Sequence, residues 1–573
     1  MASDLVNIPP EVQGLVGDYL PVGDLNSVSR TCKTLNSAFL AKLYRCVIIK
    51  VPIQWSRLGS LENLISSAGN GLKFTNNFCI TARKQPLKDD TRGYADGPIA
   101  QELADERDDM SCLPRKSASV ALNVMIRLLL KRIADNKIKS FDWRHSCTLE
   151  TSTILLLLKH QGDTLRGLGV TRYSEPQNLR SILVGGLQHL VITDLNIEQG
   201  CEWPARLIVQ SLDTIQHLHL GVLSTIAQEY VHGRLSQHDL PGSFAEMTKK
   251  ALPASARENK RMLSLETLGL YGLNFENVIG EALGFEIDFA SMTSLRLESC
   301  SGLYEAFGFF MGYYVQSARL CSFKLKTFFV RHEAGGPGFA QLLTDFLTSF
   351  TGLEHLGLLL EGQSNAMSKA PILEMHGKTL KTLVWDERTK ARKDTKKDTS
   401  SKRLKDNNLG LISLKCPNLR ALGLALGWRT SSTAASLKMF EKSFRRMPKL
   451  GTLHFRNLPE MDLTACVLLT DYMIKGIASA VLDMYAGGKP SNHPKPLTTI
   501  ALGAPLYGDI HIGSKHFPND PVHDVLQLRV YHVDYKYRSV LGPSPTVTQV
   551  AKGTADDVIT CSDKGILNEY WLA

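Results

Sequence analysis

Several signals are missing from this chain of 573 residues, and each absence removes a class of function. The 11 cysteines are scattered and odd in number, with no Cys-x-x-Cys pair and no His/Cys spacing of a zinc site. That excludes zinc-ribbon folds and dithiol redox motifs. No Asn-x-Ser/Thr sequon occurs either, and together these features predict a reducing compartment, cytoplasm or nucleus, with nearly every thiol a small buried hydrophobe. The start, MASDLVNIPPEV, has no basic stretch ahead of an apolar run, so a secretory signal is not expected. No uncharged apolar segment approaches the ~20 residues that span a bilayer. The most apolar stretch, 464–485, is interrupted by Asp471, Lys475 and Asp483 and reads as a buried amphipathic helix.

Catalytic signatures are absent too. There is no Gly-x-Ser-x-Gly and no His-Glu-x-x-His. Gly335-Gly336-Pro337-Gly338 lacks the Lys-Ser and the preceding strand of a P-loop and reads as a turn between repeats. His160 and His376 have no companion at ligand spacing. A hydrolase or transferase on a parallel sheet would need convergent polar residues that the sequence does not offer. The expectation is a non-catalytic protein without metal or cofactor.

Charge narrows the field further. The net +10 is suggestive of nucleic acid until it is located. Residues 388–405, RTKARKDTKKDTSSKRLK, hold nine Lys/Arg and two Asp, a net of +7 that leaves +3 for the other 555 residues. The charge belongs to one insertion and not to a basic face. With few apolar residues, 388–405 is expected to stay unstructured, as a solvated loop, nuclear address or electrostatic arm.

What is present begins in the first fifty residues. Pro9-Pro10-Glu11 suits the first turn of a helix, where proline is tolerated and a carboxylate faces the positive helix end. Leu15, Val16, Tyr19 and Leu20 follow at helical spacing and stop at Pro21. Asp24 is positioned to cap a second helix carrying Leu25 and Val28. A third helix is predicted from Lys33 to Tyr44, with Leu35, Phe39, Leu40 and Leu43 inward. Gly14 and Gly17 inside the first helix each cost about 0.5–1 kcal/mol against alanine.

The order IPPEV, YLPVGDL, VSRTCKTLN, LYRCV resembles the F-box, in particular its fungal version, over about a tenth of the chain. Two departures stand out: Ile8 replaces the usual leucine, and the tryptophan many F-boxes carry in the third helix is absent, with Leu35 nearby. The resemblance implies docking to a Skp-type adaptor of a cullin–RING ubiquitin ligase through Ile8, Pro9, Pro10, Leu15, Leu20, Leu25 and Val28. Burial in the module's own core explains some of those apolar positions equally well.

Past residue 136 one hexad recurs: apolar, two variable, apolar, one variable, apolar. It appears as Ile138-Phe141-Trp143, Leu165-Leu168-Val170, Leu187-Leu190-Ile192, Ile215-Leu218-Leu220, Leu265-Leu268-Leu270 and Met292-Leu295-Leu297. It continues as Leu320-Phe323-Leu325, Leu353-Leu356-Leu358, Leu380-Leu383-Trp385, Leu419-Leu422-Leu424 and Leu450-Leu453-Phe455, and ends with Leu497-Ile500-Leu502 and Val525-Leu528-Val530. If the gaps after Ile215 and Leu450 each hide one extra unit, the period is ~28 residues, that of leucine-rich repeats. The Asn or Cys that usually follows Leu-x-Leu is mostly missing, so the repeats are degenerate. The predicted fold class is α/β: short parallel strands on the concave side of a solenoid, helices such as Phe339–Phe350 on the convex side. The whole chain then resembles fungal F-box/leucine-rich-repeat proteins.

This gives a helical module at 1–50, a connecting region at 51–135 containing a charged linker (84–117), and a solenoid at 136–573. Insertions are expected at 228–262 and 388–405, and a cap with a turn at Pro543 and Pro545 from about Tyr535. Alternation along strands places the variable positions on the concave face. They include Asp142, Arg144, His189, His217, His219, Tyr271, Arg296, Glu298, Lys324, Lys326, His355, His454, Arg456, Arg529 and Tyr531. A cationic stripe from Arg296 to His355 would suit an acidic or phosphorylated segment, or be an ordinary solvated sheet face. The functional expectation is the target-recognition subunit of a ubiquitin ligase, with a Skp-type adaptor, a cullin and an unnamed target protein as partners. The alternative is a scaffold whose N-terminal helices only cap the solenoid.

Overall fold

The structure, a computed structural model, describes residues 6–52, 65, 71–83, 113–145, 147–174, 184, 186–195, 202–221, 261–262, 264–273, 286–287, 291–298, 300–317, 323–332, 338–361, 369–388, 406–424, 442–444, 446–456, 475, 478–479, 497–502, 529–538 and 542–549. Three short helices come first: α1 (Pro10–Tyr19), α2 (Val22–Ser29) and α3 (Lys33–Leu43). Helix α2 starts at Val22 behind Pro21, so Asp24 lies inside its first turn and is not its cap. Cys32 caps α3, its Sγ accepting from the Leu35 N–H at 3.5 Å. The module closes on Leu25, Leu35 and Phe39, with Val6, Leu20, Val28, Cys32 and Leu43 packed around them.

Helix α1 does not turn its sequence stripe inward. It buries Gln13 and Gly17, while Leu15 and Tyr19 face solvent. Gly17 explains the choice of face: a Cβ there would lie 2.9 Å from the Phe39 ring, so only glycine lets α1 approach α3 this closely. Lys42 reinforces the crossing by donating to the Gly14 carbonyl and pairing with Asp18.

Helix α3 leads straight into one long sheet. Its strands are β1 (Cys46–Pro52), β2 (Asn77–Arg83), β3 (Ser140–Arg144), β4 (Gly167–Val170), β5 (His189–Ile192), β6 (His217–Gly221), β7 (Thr267–Tyr271) and β8 (Ser294–Glu298). Then come β9 (Thr327–His332), β10 (His355–Glu361), β11 (Thr382–Arg388), β12 (Ala421–Leu424), β13 (Thr452–Phe455), β14 (Thr499–Leu502), β15 (Arg529–Arg538) and β16 (Gly542–Gln549). Each strand pairs with the next in sequence, and the first 14 run parallel. Parallel neighbours need a crossover. Helices α4 (Leu113–Leu130), α5 (Thr151–Gln161), α6 (Glu202–Gln210), α7 (Leu303–Ser317), α8 (Phe339–Thr348), α9 (Lys369–His376) and α10 (Asp406–Lys415) supply seven of them. The result is an α/β array with leucine-rich-repeat-like, solenoid-like architecture.

Register is where the hexad acquires its meaning. Phe141, Leu168, Leu190, Leu218, Leu268, Leu295, Phe328, Leu356, Leu383, Leu422, Leu453 and Ile500 are direct cross-strand partners in one row, and all are buried. A second hydrogen-bond pattern locks that register. The Arg45 carbonyl accepts from the N–H groups of both Asn76 and Asn77, at 2.9 and 3.0 Å. The same two-for-one acceptor recurs at Asn76, Lys139, Arg166, Gln188, Gln216, Glu266, Thr293, Lys326, Glu354, Lys381, Arg420 and Gly451. At the bend before the strand, hydroxyls join in: Thr164, Thr214, Ser291 and Thr379 each donate to the first hexad carbonyl of the preceding repeat.

Several expectations are corrected by this topology. The array begins at Cys46 and not at 136, because β1 and β2 are its first strands. Their hexads carry Tyr44 and Thr75 in the leading apolar position, which hid them. Residues 113–117, assigned to the charged linker, open helix α4. The wide gaps after Ile215 and Leu450 hide no strand of the sheet: β6 pairs directly with β7, and β13 with β14. Around residue 325 the strand uses Leu325-Phe328-Val330, five residues later than Leu320-Phe323-Leu325. At the far end, β15 is antiparallel to β14, so Val525-Leu528-Val530 is no further parallel repeat, and the covering hairpin begins at Arg529. Pro543 and Pro545 lie within β16, the outer strand, where a missing N–H is tolerated. Residues 84–112, 263, 389–405 and 550–573 lie outside the described residues, as do most of 228–262 and 464–485.

Aromatic rings are concentrated under β9. Phe307 and Phe310 of α7, Phe328 of β9 and Phe346 of α8 meet with ring centroids 5.1–6.0 Å apart. Tilted and edge-on ring contacts of this kind add to area burial, and they join two crossover helices to the sheet.

Candidate functional site

Two surfaces carry the residues singled out in the sequence. The first is the helical module. Pro9, Pro10 and Leu15 are exposed there, Ile8, Leu20 and Val28 are half-buried, and Leu25 is 4% exposed and belongs to the module's core. Leu25 is therefore an internal packing residue, which corrects its assignment as a contact. Val12, Leu15 and Tyr19 recur at i, i+3 and i+7 along one side of α1, and Val22 follows at the start of α2. All four are exposed, Leu15 by 61% and Tyr19 by 87%. A contiguous apolar stripe on so small a module has no packing role inside it. Gln13 stabilises the turn that leads into the stripe by donating to the Ile8 and Val6 carbonyls at 3.1 and 3.4 Å.

The second surface is the sheet face opposite the Leu-x-Leu side chains, where side chains form three rows. The row preceding the Leu-x-Leu pair holds His189, His217, Thr267, Ser294, Thr327 and His355, and it remains at least partly accessible. The next row holds Asp142, His219, Arg296, Phe329 and His454, with Gly169, Gly269, Gly357 and Gly423 among its other members. The third holds Arg144, Tyr271, Glu298, Arg331 and Asp386. From His219 onward the second and third rows are buried, so His219, Tyr271 and Arg296 are not part of a solvated cationic stripe. Lys324 and Lys326 are exposed but precede β9; the positions of that repeat on this face are Phe329 and Arg331.

Burial of charge requires pairing, and the pairs are present. Arg296 pairs with Glu298 and stacks on the Phe329 ring at 4.4 Å. Arg456, fully buried, donates from Nε to Asp386 at 2.8 Å, reaching from beyond β13 back to β11. Glu387 accepts from the Trp385 indole at 2.7 Å and pairs with Lys369 at 3.2 Å. At the exposed end Arg144 pairs with Asp142 at 3.5 Å. Tyr531 is buried and sits opposite Ile500 in the antiparallel register, and Arg529 lies at the other end of that pairing, opposite Leu502.

Burial disfavours the charged form of several histidines. His189 and His217 stack face to face, centroids 4.4 Å apart and planes 4° apart. Burial lowers the His217 pKa, the His189 charge lowers it further, and Glu266 opposes. Burial, with Arg296 and both neighbouring histidines, pushes His219 down to about 3. Burial raises the Cys79 thiol to about 11, assisted by Asp142, and raises Cys300 and Cys416 to about 12. Thiolates are the reactive form, so these cysteines are packing residues. Among the described residues no three His, Cys, Asp or Glu are grouped to hold a metal ion. No helix among them is long and apolar enough to cross a membrane.

Sequence reasoning missed Val12, Tyr19 and Val22 as surface residues, because helical spacing gives a stripe without saying which way it faces. It missed Phe329 and Arg331 because two overlapping hexads compete at 320–330. A comparison with known proteins adds no name to this geometry: no family model matches the chain, and no curated protein sequence matches it.

Proposed function

We propose that this chain is a target-recognition subunit of a cullin–RING ubiquitin ligase, docking a Skp-type adaptor through its N-terminal helices and a target protein through the repeat array. The observation that carries the reading is the exposed apolar stripe Val12, Leu15, Tyr19 and Val22, beside Pro9 and Pro10, on a module whose own core is already complete in Leu25, Leu35 and Phe39. Exposed apolar stripes of this kind mark docking faces. In this reading the chain performs no chemistry and contributes placement and local concentration.

A second reading, a scaffold whose helices only close the array, is favoured by the direct run of α3 into β1 and by Tyr44 packing on the array's core. One capture experiment separates them. Tagged wild type is recovered from lysate beside a Leu15→Asp/Tyr19→Asp variant, whose changes lie in solvent and leave thermal melting unchanged. Adaptor and cullin recovered with wild type alone support the ligase reading. A well-folded wild type that recovers neither leaves the scaffold.

A further inference from the structure

The bends that precede the strands form a rim along one edge of the sheet, and its charge is segregated. Between β3 and β8 the described bends carry Lys137, Lys139 and Arg166 against Asp135, Asp163, Asp213 and Glu266, a net of −1. From β9 to β13 they carry Lys324, Lys326, Lys378, Lys381, Arg420 and Lys449 against Glu354, a net of +5. Five of these six cations are exposed and Lys381 is partly so. This concentration is distinct from the 388–405 segment and from the buried arginines of the sheet face.

Its geometry is fixed by the carbonyl ladder. The Glu354 N–H donates to the Lys326 carbonyl, Lys381 to Glu354, Arg420 to Lys381 and Gly451 to Arg420, at 2.7–2.8 Å. Successive rim residues are therefore one strand spacing apart, and the five repeats span about 19 Å at ~4.8 Å per strand. An extended peptide covers that length with about six residues at ~3.3 Å each. Glu354 already behaves as an anion in this field: the hydrogen bond and charge of Lys381, with Lys326 and His355, hold its carboxyl below the usual range. Lys449 is oriented by the Asn418 side chain at 2.6 Å, and Asn418 by the Lys378 carbonyl at 2.8 Å; among the described residues no carboxylate pairs with either lysine.

We infer that the rim from Lys324 to Lys449 is the docking site for an extended anionic peptide segment of a partner protein, rich in carboxylate or phosphate. Nucleic acid is the weaker fit, because the row is interrupted by Glu354 and carries no aromatic platform on which bases could stack. This deepens the reading of the array as a target-binding surface and is independent of what the helical module binds.

The test is fluorescence anisotropy with the full chain and three labelled probes: a decamer rich in glutamate, a decamer carrying phosphoserines, and a single-stranded oligonucleotide of equal charge. Both peptides are expected to bind, with affinity falling as salt rises. Lys326→Glu/Lys381→Glu/Arg420→Glu is expected to weaken them at least tenfold, with melting unchanged. Lys137→Glu/Lys139→Glu/Arg166→Glu, on the other stretch of rim, leaves binding intact, as does replacing the cations of 390–405 by serine. Preference for phosphoserine assigns a phosphorylated segment, and equal capture assigns acidic sequence as such. Loss of binding with the 390–405 variant, indifference to the rim variant, tighter oligonucleotide binding, or no peptide binding at all overturns the proposal. None of these readouts involves the adaptor, so failure here leaves the ligase reading untouched.

Discussion

At the scale of single residues, buried polar groups are the informative ones, because each must be satisfied inside the protein. His376 is an example: its Nε2 donates to the Leu347 carbonyl at 2.6 Å and its Nδ1 accepts from the Leu353 N–H at 3.4 Å. Both bonds together require the neutral ring, and burial lowers its pKa. Burial likewise brings His332 to about 4 and His219 to about 3. In the unfolded chain these rings titrate near 6.5. The unfolded state thus binds more protons below that pH, and stability present above 6.5 is lost as pH falls toward the folded values. At pH 4.5 the loss for His219 and His332 is on the order of 2 kcal/mol each. Melting temperature followed from pH 7.5 to 4.5 is expected to drop, and His332→Phe, which keeps the ring packed on Phe339, flattens the curve. A parallel curve for that variant would show that His332 titrates normally.

The repeat element is defined by glycines as much as by leucines. On the face opposite the leucines Asp142 lies over Gly169, His219 over Gly269 and Phe329 over Gly357: a Cβ on these glycines would fall 2.1, 2.1 and 2.2 Å from the neighbouring side chain. At these three places a large side chain faces a strand with no side chain and lies across it. Phe329 is further pinned beneath Arg296. Gly357→Ala should therefore cost about 1–3 kcal/mol through overpacking. Gly167→Ala, whose Cβ would stand 3.2 Å from the Ser140 hydroxyl, should cost well under 1 kcal/mol. Urea unfolding of both variants measures the difference, and equal midpoints would mean that Phe329 moves aside freely. None of this alternation is apparent from the hexad alone, since glycine at a variable position looks like any other variable residue until its cross-strand neighbour is known.

For the whole molecule, a one-dimensional array must close both ends. The helices lead into β1 at one end, and at the other the sheet reverses direction into the hairpin of β15 and β16. Tyr531 of β15 is fully buried against the last parallel strand. Removing residues 525–573 uncovers the edge of β14, whose N–H and C=O groups then pair with another copy. Light scattering on the shortened chain is expected to show concentration-dependent association, and a monomer with an unchanged melt would refute the hairpin's role. The architecture itself was readable: eleven of the thirteen hexads lie on parallel strands of the sheet, and the α/β class follows from strands alternating with helices. Less of the candidate sites was readable. Pro9, Pro10 and Leu15 are exposed, whereas Leu25, His219, Tyr271 and Arg296 are buried.

Local sequence suffices to say which side chains point inward wherever a hexad is unambiguous, because alternation along a strand depends only on adjacent residues. It also determined where the first three helices lie, since proline and apolar spacing act within one or two turns. Tertiary structure alone decided which strands are neighbours across the long excursions, which of two overlapping hexads is used at 320–330, and that the sheet ends antiparallel. It also decided which face of α1 is left to solvent and which cations of the sheet face are buried in pairs. Those outcomes depend on partners up to 70 residues away, as in Asp386 and Arg456, and on a close approach that Gly17 permits at Phe39. No local pattern encodes the identity of such a partner, so only the assembled sheet selects it.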